Sequence, residues 1–180
     1  RLLTDLLAAR DPDGKLARAA LPDAARLFDA LDEPAPADFS ALSPMLESFD
    51  GLETAEPPAD MRATLRDYQH AGVNWLTFME RAGMGAMLAD DMGLGKTLQA
   101  LSVLRGRCLV VAPTSVMFNW KHEAAKFRPG LSVHLYHGAK RELDPEATLT
   151  ITSYAILRLD IEELESSEFD VVVLDESQHI

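Results

Sequence analysis

The stretch Asp90-Asp91-Met92-Gly93-Leu94-Gly95-Lys96-Thr97 constrains this chain more than any other. It follows the apolar run Ala86-Met87-Leu88-Ala89, which reads as a strand, and it precedes a helical pattern at about 95–104. Strand, glycine-rich turn ending in Gly-Lys-Thr, then helix is the setting in which a backbone cradles phosphate. Gly93 and Gly95 allow a tight turn and let the backbone approach an anion with no Cβ in the way. Successive N–H groups and the helix N-terminus then face phosphate oxygens. Lys96 would bring charge to the β- and γ-phosphates, and the Thr97 hydroxyl can ligate Mg²⁺. The general pattern has glycine five residues before Gly95, and this chain has Asp90 there.

From residue 62 onward helical and strand patterns alternate. Leu65, Tyr68, Gly72, Trp75, Leu76 and Met79 mark one face of a helix at about 64–81. Arg107 to Ala112 reads as a buried strand stopped by Pro113, and helix signals resume over 115–127. Residues 132–136 alternate like a strand. Residues 149–152 read as another, leading into a helix at about 153–164, and Phe169 to Leu174 is a continuous apolar strand. This alternation predicts an α/β fold with crossover connections and a parallel sheet covered by flanking helices on both faces. The last strand delivers Asp175-Glu176 to its carboxyl end, where ligands bind in such sheets. An aspartate there can hold a metal bridging to phosphate, and the adjacent glutamate can orient and deprotonate a water.

Residues 1–60 differ. They contain seven of the ten prolines and 13 acidic against five basic residues, a net of -8. The segments 32–38 and 56–60 read as extended connectors, with short helices at roughly 2–9, 15–31 and 40–50. The chain divides by this reading into a helical and linker segment, 1–60, and a nucleotide-binding portion, 61–180. The whole chain of 180 residues carries -12, which disfavours a simple basic nucleic-acid-binding domain. Yet 105–141 holds seven basic residues against Glu123 alone, a net of +6. No apolar run approaches 18 residues, so no membrane-spanning helix is expected. The single cysteine, Cys108, can form no internal disulfide, which suits a cytoplasmic protein.

Several segments in order resemble the Swi/Snf-type, superfamily 2 helicase-like ATPases. Leu65 to Leu76, with Leu65-Arg66-Asp67-Tyr68-Gln69, is similar to that family's adenine-recognition segment, and Leu88 to Thr97 to its phosphate loop, in which an acidic residue stands where Asp90 does. Val110 to Ser115 followed by Asn119-Trp120 resembles motif Ia, Ile151-Thr152-Ser153-Tyr154 motif Ib, and Asp175-Glu176-Ser177-Gln178 motif II. Ser177 is a variation, and His179 lies one position past the usual motif histidine and receives no role.

The resemblance implies a RecA-like P-loop lobe that binds and hydrolyses ATP with Mg²⁺ and moves along duplex DNA. By it, Gln69 would read the adenine edge, and Arg66 and Tyr68 would flank the base. Asp91, Met92, Gly93, Leu94, Gly95, Lys96 and Thr97 would hold the phosphates. Thr97 and Asp175 would hold Mg²⁺, and Glu176 would activate water. Thr114, Ser115, Asn119, Thr152 and Ser153 would contact a DNA strand's backbone, fixing position without reading sequence. Trp75 and Trp120 read as core or hinge-packing residues.

The resemblance also implies that the first lobe continues past motif II through a motif III strand, and that a second RecA-like lobe supplies further arginines. On that reading the chain is an incomplete lobe with a gap in its sheet. It belongs to a bacterial, nucleoid-associated protein and is inactive by itself. The alternatives are a general superfamily 2 helicase acting on RNA or single-stranded DNA, and a nucleotide- or DNA-binding module without turnover.

Overall fold

The computed structural model describes residues 51–91 and 93–176, together with Ala24, Leu27, Phe28, Ala30 and Leu31, which are helical. The helices expected at 2–9 and 40–50 lie outside the described residues, as does most of the one at 15–31. The described residues form two compact units. One combines those up to Ala55 with His70–Ala89, and the other combines Glu56–Gln69 with the residues from Asp90 onward.

Helix α1, Asp67–Arg81, starts in the second unit and runs into the first. Asp67 stands in its first turn and Arg81 in its last, each complementing the partial charge of the nearer helix end. It stops in a Schellman motif. Gly83 N–H donates to Glu80 O and Met84 N–H to Met79 O, both at 2.9 Å. The buried line on α1 is Gln69 and Val73, one turn apart, and Tyr68 is left 40% exposed. In the first unit Asn74 Oδ1 accepts from Ala55 N–H at 2.8 Å, fixing the incoming chain to the helix.

The second unit is built on a four-stranded, all-parallel sheet. Its strands are β1 Cys108–Ala112, β2 Val133–Leu135, β3 Leu149–Ser153 and β4 Val171–Leu174, in the spatial order β2-β3-β1-β4. Between them run α2 Lys96–Val103, α3 Thr114–Phe127, α4 Tyr154–Leu159 and α5 Ile161–Glu165. Pleating sends alternate residues to opposite faces. Cys108, Val110, Ala112, Leu149 and Ile151 face α2 and α3, meeting Leu101, Leu104, Met117, Trp120 and Ala124. Leu109 and Val111 face the other way, toward Tyr154, Ile156 and Leu164 of α4 and α5. Both faces of the two central strands are therefore covered, and each fully buried Leu or Ile there contributes about 1.5–3 kcal/mol.

Three expectations are corrected. The helix expected over 153–164 is two, because the chain bends at Asp160. Its carboxylate is held there by Nε and Nη2 of Arg141 and by the Tyr136 hydroxyl. Strand 169–174 is shorter and half-exposed, with Val172 at 53% and Leu174 at 46%. It is the sheet's edge, paired to β1 alone among the described residues, so its outer flank lacks a neighbour. Finally, Ala86 to Ala89 form no strand, and Met87 is 77% exposed. A strand persists only where a neighbour accepts its backbone hydrogen bonds, and none pairs with this segment among the described residues.

Candidate active site

The phosphate loop has the backbone that its glycines predict. Gly93 (φ 83°) and Gly95 (φ 77°) both lie in the left-handed region, and Gly95 leads directly into α2. A Cβ on Gly95 would stand 2.6 Å from Gln69 Nε2, so two constraints exclude a side chain there. Lys96 Nζ donates to the carbonyls of Asp90 (2.7 Å) and Asp91 (3.0 Å), drawing the loop around its ammonium group. Asp90, the departure from the glycine pattern, has a partner. Its carboxylate accepts from Gln99 Nε2 at 3.3 Å, one turn into α2. Gln99 is fully buried and its Oε1 finds no partner among the described residues. Met92 lies outside the described residues.

Gln69 joins the adenine-recognition segment to this loop. Its Oε1 accepts from Arg66 N–H at 2.9 Å and its Nε2 donates to Leu94 O at 3.1 Å. Tyr68 Oη donates to the same carbonyl at 3.2 Å. Both ends of the Gln69 amide are thus engaged inside the protein and the residue is only 7% exposed, while Arg66 and Tyr68 lie at the surface.

The carboxyl ends of β1, β3 and β4 form one edge, since Ala112 is level with Ser153 and Val111 with Leu174. Three of the predicted segments meet there. Asp175 prolongs the β4 ladder by donating its N–H to Val111 O at 2.9 Å. Its Oδ2 accepts from Trp120 Nε1 at 2.7 Å, its Oδ1 from Glu176 N–H at 3.0 Å, and its carbonyl from Tyr154 Oη at 2.8 Å. Burial, and then the charges of Asp175 and Glu176, push the Tyr154 phenol up, so it remains a donor. Glu176 is the one non-glycine residue with positive φ (51°) among those described, a strained conformation of the kind concentrated at functional turns.

Thr114 and Ser115 open α3 and are exposed, and Asn119, also exposed, donates to Glu123 Oε1 at 3.0 Å. Thr152 and Ser153, expected to contact a DNA strand's backbone, are buried, and their hydroxyls bond within the protein. Thr152 is fully buried and donates to Tyr136 O at 3.0 Å, while Ser153 caps α4 by accepting from Ile156 N–H at 3.3 Å. The arginines of the basic island are engaged by the protein itself. Arg128 is buried against Asp60 and the Leu101 carbonyl, Arg141 is bound to Asp160, Arg105 donates to three backbone carbonyls, and Arg107 lies over the Phe169 ring. Burial disfavours the Asp60 carboxylate most, but the Arg128 bond and charge and the backbone N–H of Gly130 together outweigh it and hold the carboxyl below the usual range. Lys121, Lys126 and Lys140 remain exposed.

The SNF2-related domain model matches residues 68–180, which takes in the phosphate loop and the Asp175-Glu176 edge alike. The chain belongs to the SNF2-related family. Among its SNF2-related kin, YwqA of Bacillus subtilis (strain 168) is 39% identical over 151 residues, covering 75% of this chain and 16% of that protein. Helicase swr1 of Aspergillus fumigatus is 34% identical over 177 residues, 88% of this chain and 10% of the relative. The chain thus spans a small part of the length of these relatives. The solved SWI2/SNF2 ATPase core domain of Sulfolobus solfataricus aligns with a TM-score of 0.67 at 36% identity, over 72% of this chain and 28% of that one. The same organism's SWI2/SNF2 ATPase core in complex with dsDNA aligns with a TM-score of 0.64 at 37% identity, over 71% of this chain and 29% of that one. The fold is therefore the α/β architecture of SNF2 ATPase core lobes. No helix among the described residues is long and apolar enough to cross a membrane.

Proposed function

We propose that residues 61–180 are the front part of the first RecA-like lobe of an ATP-driven motor that moves along duplex DNA, with 1–60 as an accessory segment. The observation that carries this reading is the phosphate loop. Gly93 and Gly95 hold left-handed backbone, Lys96 is enclosed by the loop, and Gln69 and Tyr68 anchor Leu94. ATP phosphates would replace the two loop carbonyls as partners of Lys96 and accept from the N–H groups at the start of α2. Arg66 and Tyr68 would flank the base. Gln69 would read it by exchanging one of its internal bonds for the adenine edge.

Thr97 and Asp175 fit Mg²⁺. Both offer hard oxygen donors, and no cluster of three or more potential metal ligands occurs among the described residues. Such a set suits an ion held mainly by phosphates and water. When bound, Mg²⁺ would supply positive charge to the phosphate oxygens. Glu176 would accept the proton of the attacking water, and a second RecA-like lobe would complete the site. The exposed Thr114, Ser115 and Asn119 would meet the DNA backbone. The dsDNA complex of the Sulfolobus ATPase core supports duplex DNA as the track.

The test is ATP turnover by the full-length protein with duplex DNA, single-stranded DNA and RNA. Duplex should stimulate most, and Lys96→Ala should abolish the stimulation. Strongest stimulation by RNA or single strands would replace the translocase with a helicase acting on those substrates.

A further inference from the structure

Asp175 is gripped from both faces of the sheet by two buried aromatic rings, and this arrangement does something the phosphate loop cannot. Trp120, 2% exposed, belongs to the core under α3, while Tyr154, 7% exposed, belongs to the opposite core under α4. The indole N–H reaches Asp175 Oδ2 at 2.7 Å and the phenol reaches Asp175 O at 2.8 Å. The two rings come from positions 55 and 21 residues away in sequence. With Glu176 N–H on Oδ1, both carboxylate oxygens have a donor and the side chain is held in one orientation.

Trp120 sits on the helix that opens with the exposed Thr114 and Ser115, six residues before it. Any displacement of α3 at that opening therefore moves the indole that sets the carboxylate. We propose that Trp120, assisted by Tyr154, is a positioning residue that orients the Asp175 carboxylate for Mg²⁺ and couples that orientation to contact at the start of α3. The coupling rests on the motor reading above. The orienting role rests on the hydrogen bonds alone. Donors that orient a metal-ligating carboxylate are typically worth about 10–100-fold in metal affinity or activity.

The experiment uses the full-length protein and Trp120→Phe, which keeps an aromatic ring in the core and removes only the N–H donor. Calorimetric titration of Mg²⁺ into the ADP-bound protein should show an affinity weakened about tenfold or more, with ADP affinity in EDTA unchanged. Duplex-stimulated kcat should fall by a similar factor while KM for ATP and duplex affinity stay near the parent's. Tyr154→Phe should do the same more weakly, about threefold, since it bonds the backbone and not the carboxylate. It also serves if Trp120→Phe lowers the melting temperature enough to spoil the measurement. Parental Mg²⁺ affinity in a folded Trp120→Phe protein would overturn the orienting role. Weakened Mg²⁺ affinity with an unaltered ratio of duplex-stimulated to basal turnover would overturn the coupling. Absence of duplex stimulation in the parent would instead remove the motor reading, leaving the calorimetric result to decide the orienting role.

Discussion

The phosphate loop and the Asp175 edge do complementary work, yet they are built in opposite ways. The loop is closed by neighbours, with Tyr68 and Gln69 as its distant anchors on Leu94. Lys96 bonds carbonyls five and six residues back, its glycines supply the turn, and it is exposed along much of its length. Asp175 is held by groups far off in sequence, from three other elements, two of them buried on opposite faces of a sheet. A site made of local backbone is tolerant of what surrounds it and intolerant of changes within it. A site made of distant contacts is as good as the packing behind it.

The largest test of that contrast compares the chemical residues themselves. Lys96→Ala should lose nucleotide binding, whereas Glu176→Gln should retain ATP and lose at least about a hundredfold in turnover, as for removal of a general base. Equilibrium binding of a fluorescent ATP analogue beside a turnover assay separates the two, and undiminished turnover by Glu176→Gln would deny it the water-activating role. Gly95→Ala should come next. It keeps every charge, but its Cβ meets Gln69 and its φ is unfavourable, so ATP binding should weaken by about tenfold or more while the melting temperature moves little.

Arg128→Ala should show the reverse pattern. It unpairs Asp60 and frees the Leu101 carbonyl in the packing behind the sheet, costing about 3 kcal/mol of stability with nucleotide affinity preserved in whatever remains folded. Equal effects of Gly95→Ala and Arg128→Ala on affinity would dissolve the distinction. The smallest effect concerns Cys108. Burial pushes its thiol up to about 11 from 9.0. The folded protein keeps its proton where the unfolded chain gives it up, so stability should be undiminished below pH 9 and fall between pH 9 and 11. Denaturant midpoints of Cys108→Ala against the parent across that window would reveal it.

The same contrast explains what could be read from residues alone. The loop, the parallel alternation and the Asp175-Glu176 strand end were legible because each is a local pattern: a motif, a period, a terminus. The grip of Trp120 on Asp175 was not, because 55 residues and a strand crossing separate the two, and no spacing rule connects an indole with a carboxylate. Gln99 could have been found, since an acid in place of the first loop glycine requires a donor nearby. The internal bonds of Thr152 and Ser153 were not legible either. Hydroxyls at a strand end suit phosphate contact and helix capping equally, and the residues alone do not show the bonds to Tyr136 O and Ile156 N–H. The run 86–89 has strand composition, but composition cannot supply the partner that a strand requires.

The basic island carries a consequence for how any bound DNA would respond to salt. Each phosphate neutralised on duplex DNA releases condensed counterion and adds about -0.9 to the slope of log affinity against log salt concentration. Three of the island's seven cations, Arg107, Arg128 and Arg141, are committed to carbonyls, carboxylates and a ring and are at least partly buried, leaving Arg105, Lys121, Lys126 and Lys140 exposed. The island's share of that slope is therefore bounded at about -3.6, rather than the roughly -6 suggested by its seven cations. A motor that holds its track through few ionic contacts in this region can release and regrip it without first displacing a dense sheath of cations from the duplex.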